Sequence, residues 1–366
     1  MTELLDLTRE LVSVPSHEDE TEAGDYIEDW LRDETDASVT RDQSGNVLAR
    51  RGPDGASSVA LVGHHDVVPP ADSQTTDDGE YVVEERDGRL YGRGTADMKG
   101  AVAAAMLAFR DATLSDSGPE LVFASFVGEE AGGDGARAAI EAGFAPDYAV
   151  VGEGSTGYSS PGVTDVAVAH KGRRGSTVTA RGAAAHASEP EEGENAVYRA
   201  CDAVDVIRDL DFPAVEVLGE EVRGSVAVTE IDGGSAWNVI PEECEITVDE
   251  RTVPGERAPL ERVEAVEGVE WTVDQDLPPM RCDDEEFAET VLDAARDAQA
   301  DAASAPQLVS KPHATDAGWL SQAGTECVIC GVAEPGEAHT ATESASLAVV
   351  DRCYEIYRQV AETGPV

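Results

Sequence analysis

The segment Ser57–Val68, SSVALVGHHDVV, places a short, β-rich apolar run directly before two histidines and an aspartate. A run of this length and composition, bounded by polar residues, is typical of a buried strand. ELVFASFVG (Glu120–Gly128) and APDYAVVGE (Ala145–Glu153) repeat the pattern, and GAVAAAMLAFRDA (Gly100–Ala112) has the composition of a strong helix. This alternation predicts an α/β fold in which helices cover both faces of a mainly parallel sheet.

Polar side chains follow each of these predicted strands. His64 comes after VALV, Glu129 comes after LVFASFV, and Glu153 comes after YAVV. In open α/β sheets, ligands bind outside the carboxyl ends of the strands. We therefore expect these three residues to lie together at a functional site.

The pattern of polar and apolar residues in the middle of the chain differs from the pattern at its two ends. From Gly172 onward, RRGSTVTARG, SVAVTEIDGG and ECEITVDERTV alternate polar and apolar residues, which is typical of an antiparallel sheet with one exposed face. After the proline-containing turn LPPM, the alternation of helix and strand returns. The sequence predicts a catalytic domain formed by residues 1–171 and 281–366, with a smaller α+β domain, residues 172–280, inserted into it.

The composition of the chain is strongly acidic. Its 366 residues carry a formal charge of −49, from 75 Asp and Glu against 26 Lys and Arg, and only Lys99, Lys171 and Lys311 are lysines. Nucleic acids and anionic membranes require clustered basic side chains, so we expect neither as a partner. Abundant carboxylates with few lysines are typical of proteins from salt-loving microbes, and we interpret this chain as halophilic.

Sequence features also bear on location and on the cysteines. The N-terminal segment has no apolar signal-peptide core, and no run approaches the roughly 20 apolar residues of a membrane span, so we expect a cytoplasmic protein. Cys327 and Cys330 form a CxxC, but they lie in the apolar run TECVICGV without a second pair nearby. We interpret them as buried strand residues, with zinc or redox chemistry as the alternative.

Four short motifs contain most of the candidate metal ligands: GHHDVV, GRGTADMKG, GEEAGGDGA and GEAHTATES. Histidine, aspartate and glutamate are ligands that zinc and cobalt accept, and two metals about 3.5 to 4 Å apart need a carboxylate between them. Any one motif alone is weak evidence. All four in this order predict a metal centre.

The order and wording of these motifs resemble the M20 family of metal-dependent amidohydrolases. That family includes succinyl-diaminopimelate desuccinylase, acetylornithine deacetylase, aminoacylase and glutamate-releasing carboxypeptidases. The resemblance spans almost the whole chain and implies a zinc-peptidase-like domain interrupted by a ferredoxin-like lid, which is also a dimerisation domain. It further implies two divalent metals, Zn²⁺ first and Co²⁺ as the alternative, held by five ligands: His64, Asp97, Glu130, Glu153 and His339.

The same resemblance implies distinct roles for the remaining residues of the motifs. Asp97 matches the ligand that bridges both metals, and Glu129 matches the general base, which must take a proton from water and pass it to the departing amine. Asp66 matches a supporting residue that orients a metal ligand. Because side chains alternate along an extended chain, His65 should point away from His64 and Asp66 and take no part.

Substrate recognition is implied less directly. His186 in AHASEPEEG matches a histidine that in relatives reaches the partner subunit's active site and hydrogen-bonds the oxyanion, which implies a homodimer. Arg174 and Arg251 are candidates for binding a substrate carboxylate, with ion pairing inside the acidic chain as the alternative. The other candidate substrate-binding residues are Asn238, Thr315 and Asp316.

The implied activity is metal-dependent hydrolysis of an N-acyl amino acid. Succinyl-diaminopimelate comes first as substrate and acetylornithine second, in lysine or arginine biosynthesis. The alternatives are a dipeptidase or glutamate-releasing carboxypeptidase of the same family and, more remotely, a non-catalytic binding protein on the same fold.

The charge of the chain generates a first prediction. Because salt screens repulsion among exposed carboxylates, the melting temperature should rise as KCl increases from about 0.2 to 2 M. Thermal unfolding followed by circular dichroism across that range measures the effect. A melting temperature independent of salt would show that carboxylate repulsion does not limit stability.

Overall fold

The computed structural model describes residues 2–53, 57–116, 118–299 and 304–364. These residues form two compact units. Unit 1 contains residues 1–169, 281–311 and 315–366, and unit 2 contains residues 170–280 and 312–314. The assignment of the short segment Pro312–Ala314 to unit 2 is a feature that the sequence analysis does not anticipate. None of the described helices is long and apolar enough to cross a membrane.

The described helices, in chain order, are α1 (Thr2–Ser13), α2 (Thr21–Glu34), α3 (Gly100–Asp111), α4 (Asp134–Glu141), α5 (Ala196–Arg208), α6 (Glu285–Asp297), α7 (Asp316–Gln322) and α8 (Leu347–Thr363). The described strands are β1 (Ser38–Arg41), β2 (Val47–Arg51), β3 (Ser58–His64), β4 (Glu84–Arg86), β5 (Arg89–Tyr91), β6 (Glu120–Phe126), β7 (Tyr148–Val151), β8 (Val166–His170), β9 (Gly172–Arg181), β10 (Ala185–His186), β11 (Ala214–Val217), β12 (Glu220–Arg223), β13 (Ser225–Gly233), β14 (Val239–Ile240), β15 (Glu243–Thr252), β16 (Val269–Leu277), β17 (Met280–Arg281), β18 (Leu308–Lys311), β19 (Glu326–Ile329) and β20 (Ser344–Ser346).

The main sheet has the strand order β1-β2-β6-β3-β7-β19-β8-β17, and β18 pairs with β8. Its centre, β6-β3-β7-β19, is parallel, whereas the pairs β1–β2, β2–β6 and β19–β8 are antiparallel. All seven residues of β3 are buried, as expected for a strand in the middle of a parallel sheet. The mixed α/β fold with a mainly parallel sheet, predicted from the sequence, is confirmed.

The helices of unit 1 provide the apolar cover of this sheet. α3 packs against α1, α8 and strand β3, and α7 packs against α4 and strand β19. The alanine-rich α3 is buried continuously from Gly100 to Phe109, because its small side chains allow close packing all around the helix.

Strand register places the polar residues of the sequence motifs at one edge of the sheet. His64, the last residue of β3, pairs with Phe126 of β6, and Val62 pairs with Val151 of β7. The carboxyl ends of these parallel strands therefore meet at the same edge. Residues that directly follow them are brought together without any further folding.

Unit 2 is built on a four-stranded antiparallel sheet of order β13-β15-β9-β16. Helix α5 follows β9, and a short 3₁₀ segment, Leu260–Ala265, precedes β16. Apolar residues from these elements form one core that includes Val178, Ala200 and Ile246. The order β9-α5-β13-β15-3₁₀-β16 matches the β-α-β-β-α-β connectivity of a ferredoxin-like fold, with the 3₁₀ segment in place of the second helix. Its action as a lid or in dimerisation stays a prediction.

Candidate metal centre

His64, Asp97 and Glu153 form the first of two groups of side chains in unit 1. His64 Nε2 lies 3.3 Å from Asp97 Oδ1 and 3.4 Å from Glu153 Oε1. The three candidate ligand atoms lie within 4.8 Å of one another. One nitrogen and two carboxylate oxygens converging in this way are a donor set that a divalent cation accepts.

Asp97, Glu130 and His339 form the second group. His339 Nε2 lies 3.0 Å from Asp97 Oδ2 and 2.9 Å from Glu130 Oε1. Asp97 thus belongs to both groups, with Oδ1 facing His64 and Oδ2 facing His339. Two donor sets that share one carboxylate fit a pair of divalent cations such as Zn²⁺ or Co²⁺.

Neighbouring carboxylates raise the pKa of both histidines, His64 and His339. Burial by itself lowers the pKa of His64, but the carboxylates of Asp66, Asp97 and Glu153 outweigh burial and hold that pKa well above its ordinary value. Hydrogen bonds to Asp97 and Glu130 raise the pKa of His339 to about 10. A cation must displace these protons, so metal affinity should fall as the pH falls.

The loop that carries Asp97 is fixed by a buried ion pair. Glu343 Oε1 accepts hydrogen bonds from the backbone N–H groups of Ala96, at 3.1 Å, and Asp97, at 3.2 Å. The other oxygen of Glu343 pairs with Arg93, and both side chains are almost fully buried. Arg93 and Glu343 are not among the residues predicted from the sequence, although they lie in the motifs GRGTADMKG and GEAHTATES.

Asp66 connects the two halves of the centre. Its Oδ1 lies 3.3 Å from His64 Nδ1, and its Oδ2 accepts a hydrogen bond of 3.0 Å from the backbone N–H of Glu130. Burial favours the neutral acid, but His64 and the N–H groups of Glu130 and Glu129 outweigh it and lower the pKa of Asp66. An ionised Asp66 orients the imidazole of His64 and fixes the loop that carries Glu129 and Glu130.

Glu129 lies beside the two groups and belongs to neither. Its Oε2 is 4.0 Å from His64 Nε2, so it faces the first group. Burial raises the pKa of Glu129 well above its ordinary value; Glu153, Asp316 and Asp97 add to this effect, and His64 opposes it. A carboxylate with a raised pKa outside the ligand set is suited to exchange protons.

The sequence model of peptidase family M20/M25/M40 matches residues 60–363 of this chain. The chain belongs to this family. An acetylornithine deacetylase of Myxococcus xanthus is 31% identical over 329 residues, covering 84% of this chain and 81% of that protein. The resemblance to M20 enzymes noted in the sequence is therefore confirmed, and the protein is a metal-dependent hydrolase of the family.

Solved structures of M20 enzymes share the fold. Aminopeptidase PepT of Bacillus cereus has a TM-score of 0.77 at 20% identity, covering 99% of this chain and 98% of that chain. An M20 metallo-carboxypeptidase of Sulfolobus solfataricus has a TM-score of 0.75 at 14% identity, covering 100% of both chains. A dinuclear metal-binding M20 peptidase of Bacillus subtilis has a TM-score of 0.71 at 16% identity, covering 100% of this chain and 98% of that chain.

In this M20 hydrolase, Thr315 and Asp316 lie at the start of α7. Thr315 Oγ1 accepts a hydrogen bond from the backbone N–H of Ala317 and caps the helix. Both carboxyl oxygens of Asp316 are buried without a hydrogen-bond partner in the described part of the chain, and burial raises the pKa of this group to about 8. A Cβ at Gly133 would lie 2.6 Å from Asp316 Oδ1, so Asp316 lies under the turn that follows Glu130. The charges of His64, Asp66 and Glu153 also act on this carboxyl group. Contact of Thr315 and Asp316 with a substrate stays a prediction.

The predicted catalytic residue His186 and the predicted substrate-binding residue Asn238 are neighbours in unit 2. His186 of β10 pairs with Val239 of β14, and the carbonyl of Asn238 accepts a hydrogen bond from the backbone N–H of Ala187. His186 is exposed, and its Nδ1 lies 2.6 Å from Ser188 Oγ. His186 and Asn238 therefore lie close together in unit 2. The catalytic role of His186 and the substrate-binding role of Asn238 stay predictions.

Arg174 and Arg251 are engaged in ion pairs in unit 2. The buried Arg174 pairs with Glu250, donates to the carbonyl of Ala258, and lies 5.0 Å from the ring centroid of Trp271. Arg251 Nε donates to Asp249 Oδ1 at 2.7 Å. Both guanidinium groups pair with carboxylates of the chain itself, which is the alternative to binding a substrate carboxylate. Substrate binding by either arginine stays a prediction.

His65 and the CxxC cysteines are structural. His65 Nδ1 lies 2.8 Å from Ser125 Oγ, away from the centre, as alternation along the strand predicts. Cys327 and Cys330 are fully buried free thiols, and burial raises the pKa of each well above its ordinary value. No group of candidate metal ligands among the described residues contains either cysteine.

The burial of His65 generates a prediction about acid stability. Burial lowers the pKa of His65 from 6.5 to about 3, so below pH 6.5 the unfolded chain binds a proton there that the folded protein excludes. The wild-type protein should therefore lose about 2 kcal/mol of unfolding free energy at this residue between pH 6.5 and about pH 5. His65→Asn, which retains a partner for Ser125, should lack this loss.

Urea unfolding at several pH values measures the effect as the difference between the two proteins. The difference cancels the titration of the many carboxylates common to both. Parallel pH dependences would show that folding leaves the pKa of His65 unchanged.

Proposed function

We propose that this protein hydrolyses the amide bond of an N-acyl amino acid at a centre of two divalent cations. The observation that carries the proposal is the position of Asp97, whose two oxygens face separate donor groups, with Glu129 beside both and in neither. His64 and Glu153 would hold one cation, Glu130 and His339 the other, and Asp97 both. Zn²⁺ suits this set of imidazole and carboxylate ligands, with Co²⁺ as the alternative.

The chemistry follows from this division of roles. Bound cations supply Lewis acidity, which polarises the substrate carbonyl and lowers the pKa of a water from 15.7 toward about 7. Glu129 accepts a proton from the attacking water as its oxygen bonds to the carbonyl carbon. When the carbon–nitrogen bond breaks, Glu129 returns the proton to the departing amine. Asp66 holds the imidazole of His64 and the loop that carries Glu129 in fixed positions during both steps.

Acetylornithine is the substrate that we propose first. The Myxococcus xanthus acetylornithine deacetylase, 31% identical over most of both chains, supports it. This reverses the order suggested by the sequence, in which succinyl-diaminopimelate came first. The presence of every implied ligand and of the base disfavours the alternative of a non-catalytic binding protein. A homodimer in which His186 completes the partner's site is retained as part of the proposal.

Glu129→Gln tests the identity of the base. The amide cannot accept a proton from water, and Glu129 lies outside both donor groups, so the variant should bind two equivalents of Zn²⁺ while kcat falls at least about a hundredfold. Metal content by atomic emission, with steady-state kinetics, measures both effects. Glu141→Gln makes the same change at an exposed position at the end of α4 and should leave both unchanged. Wild-type turnover by Glu129→Gln would remove Glu129 as the base.

A substrate panel tests the reaction. Acetylornithine, succinyl-diaminopimelate, acetyl-lysine and simple dipeptides are compared in molar KCl with added Zn²⁺. We expect kcat/KM for acetylornithine to exceed that for any dipeptide at least about tenfold, a difference of about 1.4 kcal/mol in transition-state binding. A preference for dipeptides would instead identify a peptidase, as the structural relatives from Bacillus cereus and Sulfolobus solfataricus are.

A further inference from the structure

Lys311 is a buried cation beside the candidate metal centre that the proposed reaction does not use. Its Nζ lies 3.5 Å from Glu153 Oε2, and the two side chains are only 5% and 10% exposed. The other oxygen of the same carboxylate, Oε1, faces His64. Glu153 is therefore shared between an ammonium group and the first donor group.

The composition of the chain makes this lysine unusual. Only three lysines occur among its 26 basic residues, so arginine supplies nearly all the positive charge of this protein. Two of the three, Lys99 and Lys311, are almost fully buried in unit 1. Lys99 donates to the backbone carbonyl of Val14, whereas Lys311 faces a carboxylate of the centre. An ammonium is a compact point charge, and the planar fork of arginine is not equivalent to it in a confined space.

We propose that Lys311 is an internal counter-charge that tunes the first metal position through Glu153. The proposal rests on the function proposed above, because it requires that His64, Asp97 and Glu153 hold a cation. A carboxylate that also faces an ammonium donates less negative charge to a metal. The cation at this position is then held less tightly and remains a stronger electrophile.

The alternative role for Lys311 is a mechanical one, in which it only keeps Glu153 in place. The two roles predict opposite changes in metal affinity. Removing a counter-charge makes the donor group more negative and strengthens cation binding. Removing a mechanical clamp lets Glu153 turn away from neighbouring carboxylates and weakens cation binding.

Zn²⁺ competition with a chromophoric chelator, starting from the metal-free full-length protein in molar KCl, distinguishes these roles. Lys311→Met, which removes the charge and keeps an unbranched side chain only one atom shorter, should lower at least one of the two dissociation constants about tenfold or more. Its kcat for the best substrate should fall about tenfold, with KM changed less than about threefold, because the substrate's own contacts are retained. Lys311→Arg keeps the charge and should therefore bind Zn²⁺ no more tightly than the wild-type protein.

Two further variants complete the design. Lys171→Met removes the same charge from a lysine of unit 2 and should leave Zn²⁺ affinity unchanged. Lys311→Gln removes the charge but retains a hydrogen-bond donor; it should tighten Zn²⁺ binding like Lys311→Met, and it replaces that variant if the latter fails to fold.

Unchanged or weaker Zn²⁺ binding by Lys311→Met or Lys311→Gln would overturn the counter-charge role. Failure of the wild-type protein to bind two Zn²⁺ ions would overturn the metal centre itself and with it the proposed function. The two failures are therefore distinguishable in one titration.

Discussion

Mutual repulsion among buried carboxylates is the constraint around which unit 1 is organised. Asp97 lies within a few ångströms of Glu153 in one donor group and of Glu130 in the other, and Asp66 and Glu129 both lie beside His64. Burial by itself raises the pKa of Asp66, Asp97, Glu129 and Glu130 and so opposes the ionised forms that metal binding needs. One ammonium group supplies part of the compensating charge, and the rest comes either from two protonated imidazoles or, in our proposal, from two divalent cations that displace their protons. The fold must hold these groups in place before any cation arrives.

Three kinds of contact do so. Parallel register brings His64 and the segments that carry Glu129 and Glu153 to one edge of the sheet. Asp66 joins the imidazole of His64 to the backbone of Glu130. The buried pair of Arg93 and Glu343 fixes the backbone at Asp97. Each contact uses backbone N–H groups or a buried ion pair, so the ligands are positioned by groups that do not themselves face the proposed cations.

The sequence predicted the part of this arrangement that is encoded locally. Apolar runs followed by polar residues indicated the parallel sheet and its edge. Alternation along β3 predicted that His65 points away from His64, and the imidazole of His65 indeed lies beside Ser125. Contacts distant in sequence left no local pattern. Arg174 pairs with Glu250 across two strands, and Lys311 approaches Glu153 from a strand that is more than 150 residues away. A lone lysine or arginine in an acidic chain gives no indication of its partner, and the burial of Asp316 depends on a turn near Gly133 that periodicity cannot reveal.

The position of Asp97 has a thermodynamic consequence. Because one carboxylate serves both donor groups, occupation of one position changes the charge and orientation that the other position offers. Linkage requires this influence to be reciprocal: whatever factor the first cation imposes on the affinity of the second, the second imposes on the first. Neither affinity is then a property of its own three ligands. In the centre that we propose, the two cations bind as a coupled pair, and the sign of that coupling depends on how Asp97 divides its charge between them.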